Sequence, residues 1–339
     1  MTPRRLALVA ALALVIGTAP HVRADWRDQG AVLTTIEEND LFLNTDRHYT
    51  QGFRQSFLHH DDVMPGFVRS LADAIPEVGV SERLGYKLGY EIGQSIFTPA
   101  DLRATQLRQN DRPYAGWLYT GVILQRRWFL DGWPVLENFQ IDAGIIGPHA
   151  FGKETQTWVH EFRGFETPKG WANQLHDEPG VAIKYQRSWL FSPNTSGARW
   201  IDFIPHAGFS LGNVDTSFRI GGAVRVGVNL PDDFGVSTIS SLTTTEGGWS
   251  RQRTAHKWGF YVFLGTEASA VAYSTFLDGN LFRHSHSVEK EPVVGEWKAG
   301  IGVLMDFAEL GLTYVYRTPQ FVSQGKNDSY GSVSLKIKF

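Results

Sequence analysis

The chain contains no cysteine, which excludes disulfide staples and thiol chemistry and leaves its compartment to be read from other signals. After the first sixteen residues nothing supplies the ~18 uncharged apolar residues that a helical membrane span needs, so no transmembrane helix is expected. Charge of either sign is also short of a surplus: Lys+Arg 32 stand against Asp+Glu 35, a formal net of −3. With no basic stripe, nucleic acid is not an expected partner. No Ser–His–Asp order is evident, and no repeat or low-complexity linker divides the chain. What is abundant is glycine and aromatic side chains, with Gly 35, Phe 22, Trp 11 and Tyr 11. That mixture suits a β-barrel with tight strand packing and aromatic belts.

Both ends of the sequence point the same way. Met1-Thr-Pro-Arg-Arg-Leu6 is a positive start, Leu6 to Ile16 is apolar, and Val22-Arg23-Ala24 offers small residues for cleavage. This reads as a secretory signal over 1–24 that is cut near Ala24. The remainder, 25–339, reads as one barrel domain. At the other end Val333, Leu335, Ile337 and Phe339 alternate with Ser334, Lys336 and Lys338. Period-two alternation puts the apolar set on one face and the polar set on the other. In an outer-membrane barrel the apolar set faces lipid and a terminal aromatic sits in the interfacial girdle.

Alternating runs recur along the chain. They fall near 31–38, 51–59, 84–92, 117–126, 139–145, 181–191, 200–211, 218–228, 258–270, 296–305, 308–316 and 329–339. These predict an all-β, twelve-stranded antiparallel transmembrane barrel, an even count that keeps both termini on the periplasmic side. Connections after odd strands then lie on the outer rim, and the first three are roughly 39–50, 95–115 and 147–180.

Those three connections hold the chemically loaded residues. Glu37-Glu38-Asn39-Asp40, followed by Asn44, Asp46, His48 and Thr50, is a run of oxygen donors that suits a hard cation such as Ca²⁺, or simply a polar hairpin tip. Asn110-Asp111-Arg112-Pro113-Tyr114 reads as a turn with a local ion pair, with Tyr114 as an interface anchor. Glu154 to Phe162 reads as a short helix with Gln156 and His160 on one face, i and i+4, and Trp158, Val159 and Phe162 giving it an apolar side. A histidine held on a helix is a natural general base at neutral pH, although an incidental histidine on an interfacial helix fits the segment equally well. His149, His176, His206, His256, His284 and His286 lack metal-ligand spacing and are read as structural or surface groups.

Taken in order, Glu37-x-Asn39-Asp40, Tyr49-Thr50-Gln51-Gly52, Thr98-Pro99, Asp111-Arg112-Pro113-Tyr114-Ala115-Gly116, Gly147-Pro148, Gln156 with His160, and Gly170-Trp171 with Gln174 resemble the outer-membrane lipid A 3′-O-deacylase family. The likeness runs over roughly residues 30 to 185, and the later strands match in pattern alone. It implies a twelve-stranded barrel with a Ca²⁺-dependent site cut into the lipid-facing side of the outer rim. The reaction implied is hydrolysis of the ester that holds the 3′-linked acyloxyacyl group on lipid A. By this resemblance His160 activates water, Asn39 and Asp40 form the Ca²⁺ region with Asp40 the direct ligand, and Thr50 positions water or ester. Gln156 and Glu166 support the histidine and the substrate head. Arg103 (or Arg108) and Arg112 are the basic candidates for the substrate. Lipopolysaccharide is the implied substrate, outer-membrane lipids and the barrel assembly machinery the other partners, and a monomer the expected state. A phospholipase A-type barrel and a non-enzymatic porin or adhesin are the alternatives.

Overall fold

The structure, a computed structural model, describes residues 30–40, 47–61, 63–76, 82–130, 133–193, 199–231, 233–243 and 258–339. The expected signal segment and Ala24 lie outside the described residues, as do Asn44, Asp46 and His256. Six strands fill the first half: β1 (Val32–Asn39), β2 (His48–Leu58), β3 (Glu82–Thr98), β4 (Ala115–Leu130), β5 (Trp133–Ile146) and β6 (Glu178–Trp189). The second half adds β7 (Ile201–Gly212), β8 (Asp215–Val228), β9 (Trp258–Ser274), β10 (Val293–Met305), β11 (Ala308–Arg317) and β12 (Asp328–Lys338). Each strand pairs antiparallel with its sequence neighbour, and β1 pairs with β12 to close the barrel. Helices are few: α1 (Gly66–Ala74), α2 (Gly152–Arg163) and the single turn α3 (Thr275–Asp278). Among the described residues no helix is long and apolar enough to cross a membrane.

The alternation reads through to the wall. On β12, Val333, Leu335 and Ile337 share the outer face, while Lys336 turns inward to Asp233 and Glu309. Tyr330 has the parity of Lys336 and is buried in the lumen, where Arg317 Nη2 donates to its hydroxyl. Around the wall Tyr90, Ile92, Val122, Ile141, Ile183, Ile220, Val262 and Leu264 stay exposed and form the apolar band that faces lipid. Trp133, Trp200 and Trp258 mark the periplasmic end, and Trp297, Tyr314 and Tyr316 the outer end.

The sequence did not disclose what fills the barrel. After β8 the chain turns back into the lumen, and residues 233–243 lie against inward side chains. Arg225 donates to both oxygens of Asp202 at 2.9 and 2.8 Å and to Asp233 Oδ1 at 2.5 Å. Lys336 Nζ donates to Asp233 at 2.8 Å and to Glu309 at 3.1 Å. Further up, the Ile239 N–H donates to Glu38 Oε1 at 2.7 Å, and Tyr330 donates to Ser240 Oγ at 2.7 Å. Above this plug remains a cavity of about 180 Å³ beside Tyr119, Asp142, Lys184 and Arg219.

Candidate active site on the outer wall

Strand register builds the site from the barrel side. Asn39 pairs with Gln51, Gln51 with Ile96 and Ile96 with Gly116, so one row crosses four strands at the rim. Ile96 and Gln94 share the parity of the lipid-exposed Ile92, so this row lies on the outer face. A bulge between Tyr49 and Gln51 shifts the register of β2 against β3. It lets Tyr49 point inward to Glu38 while Thr50 bonds Thr98, Oγ1 to Oγ1, at 2.7 Å. Just below, Gln51 Nε2 donates to Glu37 Oε1 at 3.3 Å.

Helix α2 covers this row. Gln94 Nε2 donates to the Ala150 carbonyl at 2.6 Å and pins the loop that leads into it. The helix comes close because both facing positions are glycine. A Cβ on Gly116 would lie 3.0 Å from Ala150 Cβ and 3.2 Å from the Gly152 nitrogen, and one on Gly152 would lie 2.7 Å from the Trp171 ring. The inward face of α2 carries Gln156 and His160, each 1% exposed, whereas Trp158 on the other side is 60% exposed and stacks on Phe162. Trp171 donates its indole N–H to Gln156 Oε1 at 2.9 Å, and the ring packs on Tyr114 and Ile96. Tyr114, read from sequence as an interface anchor, is buried here because the return of the loop covers it.

His160 is oriented by the chain that follows it. Gly164 ends the helix at φ 74°, a left-handed conformation glycine adopts without penalty, and the chain reverses. The Glu166 carbonyl then sits 2.7 Å from His160 Nδ1. A carbonyl only accepts, so the neutral ring carries its hydrogen on Nδ1, and Nε2 holds the basic lone pair.

The remaining predicted residues fall in two places. Asn39 and Asp40 are buried at the rim, and Asp40 Oδ2 accepts the Arg47 backbone N–H at 2.5 Å. Beside it His48 Nδ1 lies 2.8 Å from both oxygens of Asp328, which ties β2 to β12. Glu166 turns its carboxylate outward to Lys169 at 2.8 Å and Arg103 at 2.7 Å, and those cations hold it below its ordinary range. Thus Glu166 meets His160 through its backbone, and Arg103, from the connection between β3 and β4, meets its exposed carboxylate. Arg112 is placed apart: its guanidinium lies 4.6 Å over the inward Phe97 ring and donates to Gln320 and to the Phe276 carbonyl. Burial pushes it down to about 10, so it stays cationic at neutral pH on the luminal side of the rim.

For a hard cation the donors fit in kind. A buried carboxylate, an amide, a hydroxyl and loop carbonyls are oxygen ligands of the sort Ca²⁺ takes. Among the described residues no group of three or more His, Cys, Asp or Glu is arranged to hold a metal ion, so Asp40 would be supplemented by neutral oxygens. Gln94 was missed by the sequence reading. The signal was there: a polar side chain on the lipid-facing parity of a strand, as Gln94 is after Tyr90 and Ile92, has to be covered by something.

Known proteins bear on this arrangement as follows. The structure is similar to LpxR from Salmonella typhimurium, with a TM-score of 0.71 and 21% identity over 91% of this chain and 100% of that one. It is more distantly similar to the translocator domain of the autotransporter NalP from Neisseria meningitidis, with a TM-score of 0.41 and 9% identity over 99% and 95%. The KdgM porin gives 0.36 and 7% over 91% and 99%. No curated protein matches the chain. The family described as outer membrane protein LpxR matches residues 6–339, and the chain belongs to that family.

Proposed function

We propose that this chain is an outer-membrane lipid A deacylase that cleaves the ester bearing the 3′-linked acyloxyacyl group by attack of water. The observation that carries the reading is His160: buried against the outer wall of the barrel, with Nδ1 held by a carbonyl and Nε2 left basic. A base in that place meets a substrate that lies in the outer leaflet, and it needs no serine.

In this mechanism the ester carbonyl of lipid A enters between α2 and the row from Asn39 to Gly116. His160 Nε2 takes a proton from water, and the resulting hydroxide forms a bond to the carbonyl carbon. The tetrahedral adduct then breaks its bond to the sugar oxygen, which leaves as the alcohol after receiving the proton from His160, while the fatty acid leaves as its carboxylic acid. Trp171 and Gln156 hold the helix face, and Thr50 and Thr98 supply hydroxyls beside the row. Asp40 and Asn39 would hold Ca²⁺, whose chemistry when bound is to stabilise negative charge on an ester oxygen. The exposed Arg103 and Lys169 suit an anionic sugar head, whereas Arg112 supports the loop from the luminal side.

A porin is disfavoured because residues 233–243 pack the lumen with paired charges. A phospholipase A-type activity differs in substrate, and mass spectrometry separates the two. Lipid A from cells with the protein should lose a 3′-linked acyloxyacyl unit relative to cells without it. Unchanged lipid A beside lysophospholipid would favour the second activity and end the first.

A further inference from the structure

Helix α1 lies on the outside of the barrel at its periplasmic end. Tyr86 on β3 has the parity of the lipid-exposed Tyr90, and Arg126 on β4 that of the lipid-exposed Val122, so both point outward. Each is nonetheless 1% exposed, because α1 and the residues after it cover them. Arg126 Nη1 donates to the carbonyls of Ala72 and Ile75 at 3.0 and 2.8 Å, capping the helix C-terminus, and Tyr86 donates to Asp73 at 2.5 Å. Val68, Ala72 and Ile75 thus form the face that docks on the wall.

A second apolar face looks away from the protein. Phe67 and Leu71, one turn apart, are 70% and 64% exposed, and Val63 before the helix is 51% exposed. A nine-residue helix apolar on two sides has no water-facing reason for the second. The lipid-facing band continues directly from Tyr90 and Val122 to this helix along β3 and β4. An amphipathic helix in such a position lies in the interface plane with its apolar side among acyl chains.

We propose that α1 is an interfacial anchor that buries Phe67 and Leu71 among the phospholipid acyl chains of the periplasmic leaflet. It stands on the wall beneath α2, whose exposed Trp158 and Phe162 occupy the other end of the same wall. The two helices together fix the depth of the strands that carry the candidate site. The inference rests on wall geometry and is independent of the ester chemistry.

Because the chain has no cysteine, a single Phe67→Cys or Leu71→Cys variant takes one nitroxide label. Labelled protein is reconstituted in vesicles of phosphatidylethanolamine and phosphatidylglycerol, and collisions with oxygen are compared with those of a water-soluble nickel chelate. Labels at 67 and 71 should favour oxygen several-fold, as a label at Ile92 in the lipid band does. A label at Ser70 should favour nickel. Nickel-dominated collisions at both 67 and 71 overturn the proposal and leave the face to an aqueous partner. Should one variant fail to insert, the other reads the same face.

Discussion

At the level of single residues, the site depends on two groups of different kinds. A positioned base is typically worth about 10²–10⁴-fold in rate. His160→Asn keeps a hydrogen bond to the Glu166 carbonyl within reach but removes the basic nitrogen. It should insert and migrate as wild type on heat-modifiability gels, yet lose at least ~10²-fold in deacylation followed by mass spectrometry. Retention of near-wild-type rate would place the base elsewhere. Asp40 tests the metal. Asp40→Ala should abolish turnover while the barrel stays folded, because Asp40 follows Asn39, the last paired residue of β1, and lies at the rim outside the strand ladder. Excess EDTA should do the same to the unaltered protein, with Ca²⁺ restoring activity; full activity in EDTA would remove Ca²⁺ from the scheme.

At the level of elements, the question is how a helix comes to rest on a barrel wall that otherwise faces lipid. Gly116 and Gly152 provide the close approach, and Gln94 and Trp171 hold it by hydrogen bonds. A displacement of about 1 Å can cost about 10²-fold in rate. Gly152→Leu should therefore lift the first turn of α2 off the wall and lower kcat by roughly that factor, with normal membrane insertion. An unchanged kcat would show that the helix seat is not what positions His160. This element was half legible in advance. The i, i+4 pairing of Gln156 and His160 was visible, but which face docked was not, since Trp158 and Phe162 looked equally able to pack on protein. The tie from Trp171 to Gln156 decided it.

For the whole molecule, closure of twelve strands makes the wall, and the returning segment 233–243 makes the inside solid. Arg225 is the centre of that packing, between Asp202 and Asp233. Removing one partner of a buried pair strands the others and costs about 3–5 kcal/mol. Arg225→Ala should accordingly lower the temperature at which the barrel loses its folded gel mobility, without touching the outer wall. Planar-bilayer recordings of the unaltered protein should show no steady conductance. A stable open channel would contradict the packed lumen and revive the porin reading.

Composition and alternation alone determined the architecture, because lipid outside and polar packing inside impose period two on every strand, and Leu335 and Lys336 obey it without reference to any partner. They likewise marked the rim segments in which Asn39, Thr50, Gln156 and His160 occur. Tertiary structure alone decided which of those residues meet. Register across four strands, a bulge at Thr50 and a chain reversal at Gly164 are relations between distant segments, and no local pattern encodes them. The same holds for Arg112, which turned to the lumen because Phe97, Phe276 and Gln320 receive it there, and for the plug, whose charges take their meaning from partners on other strands.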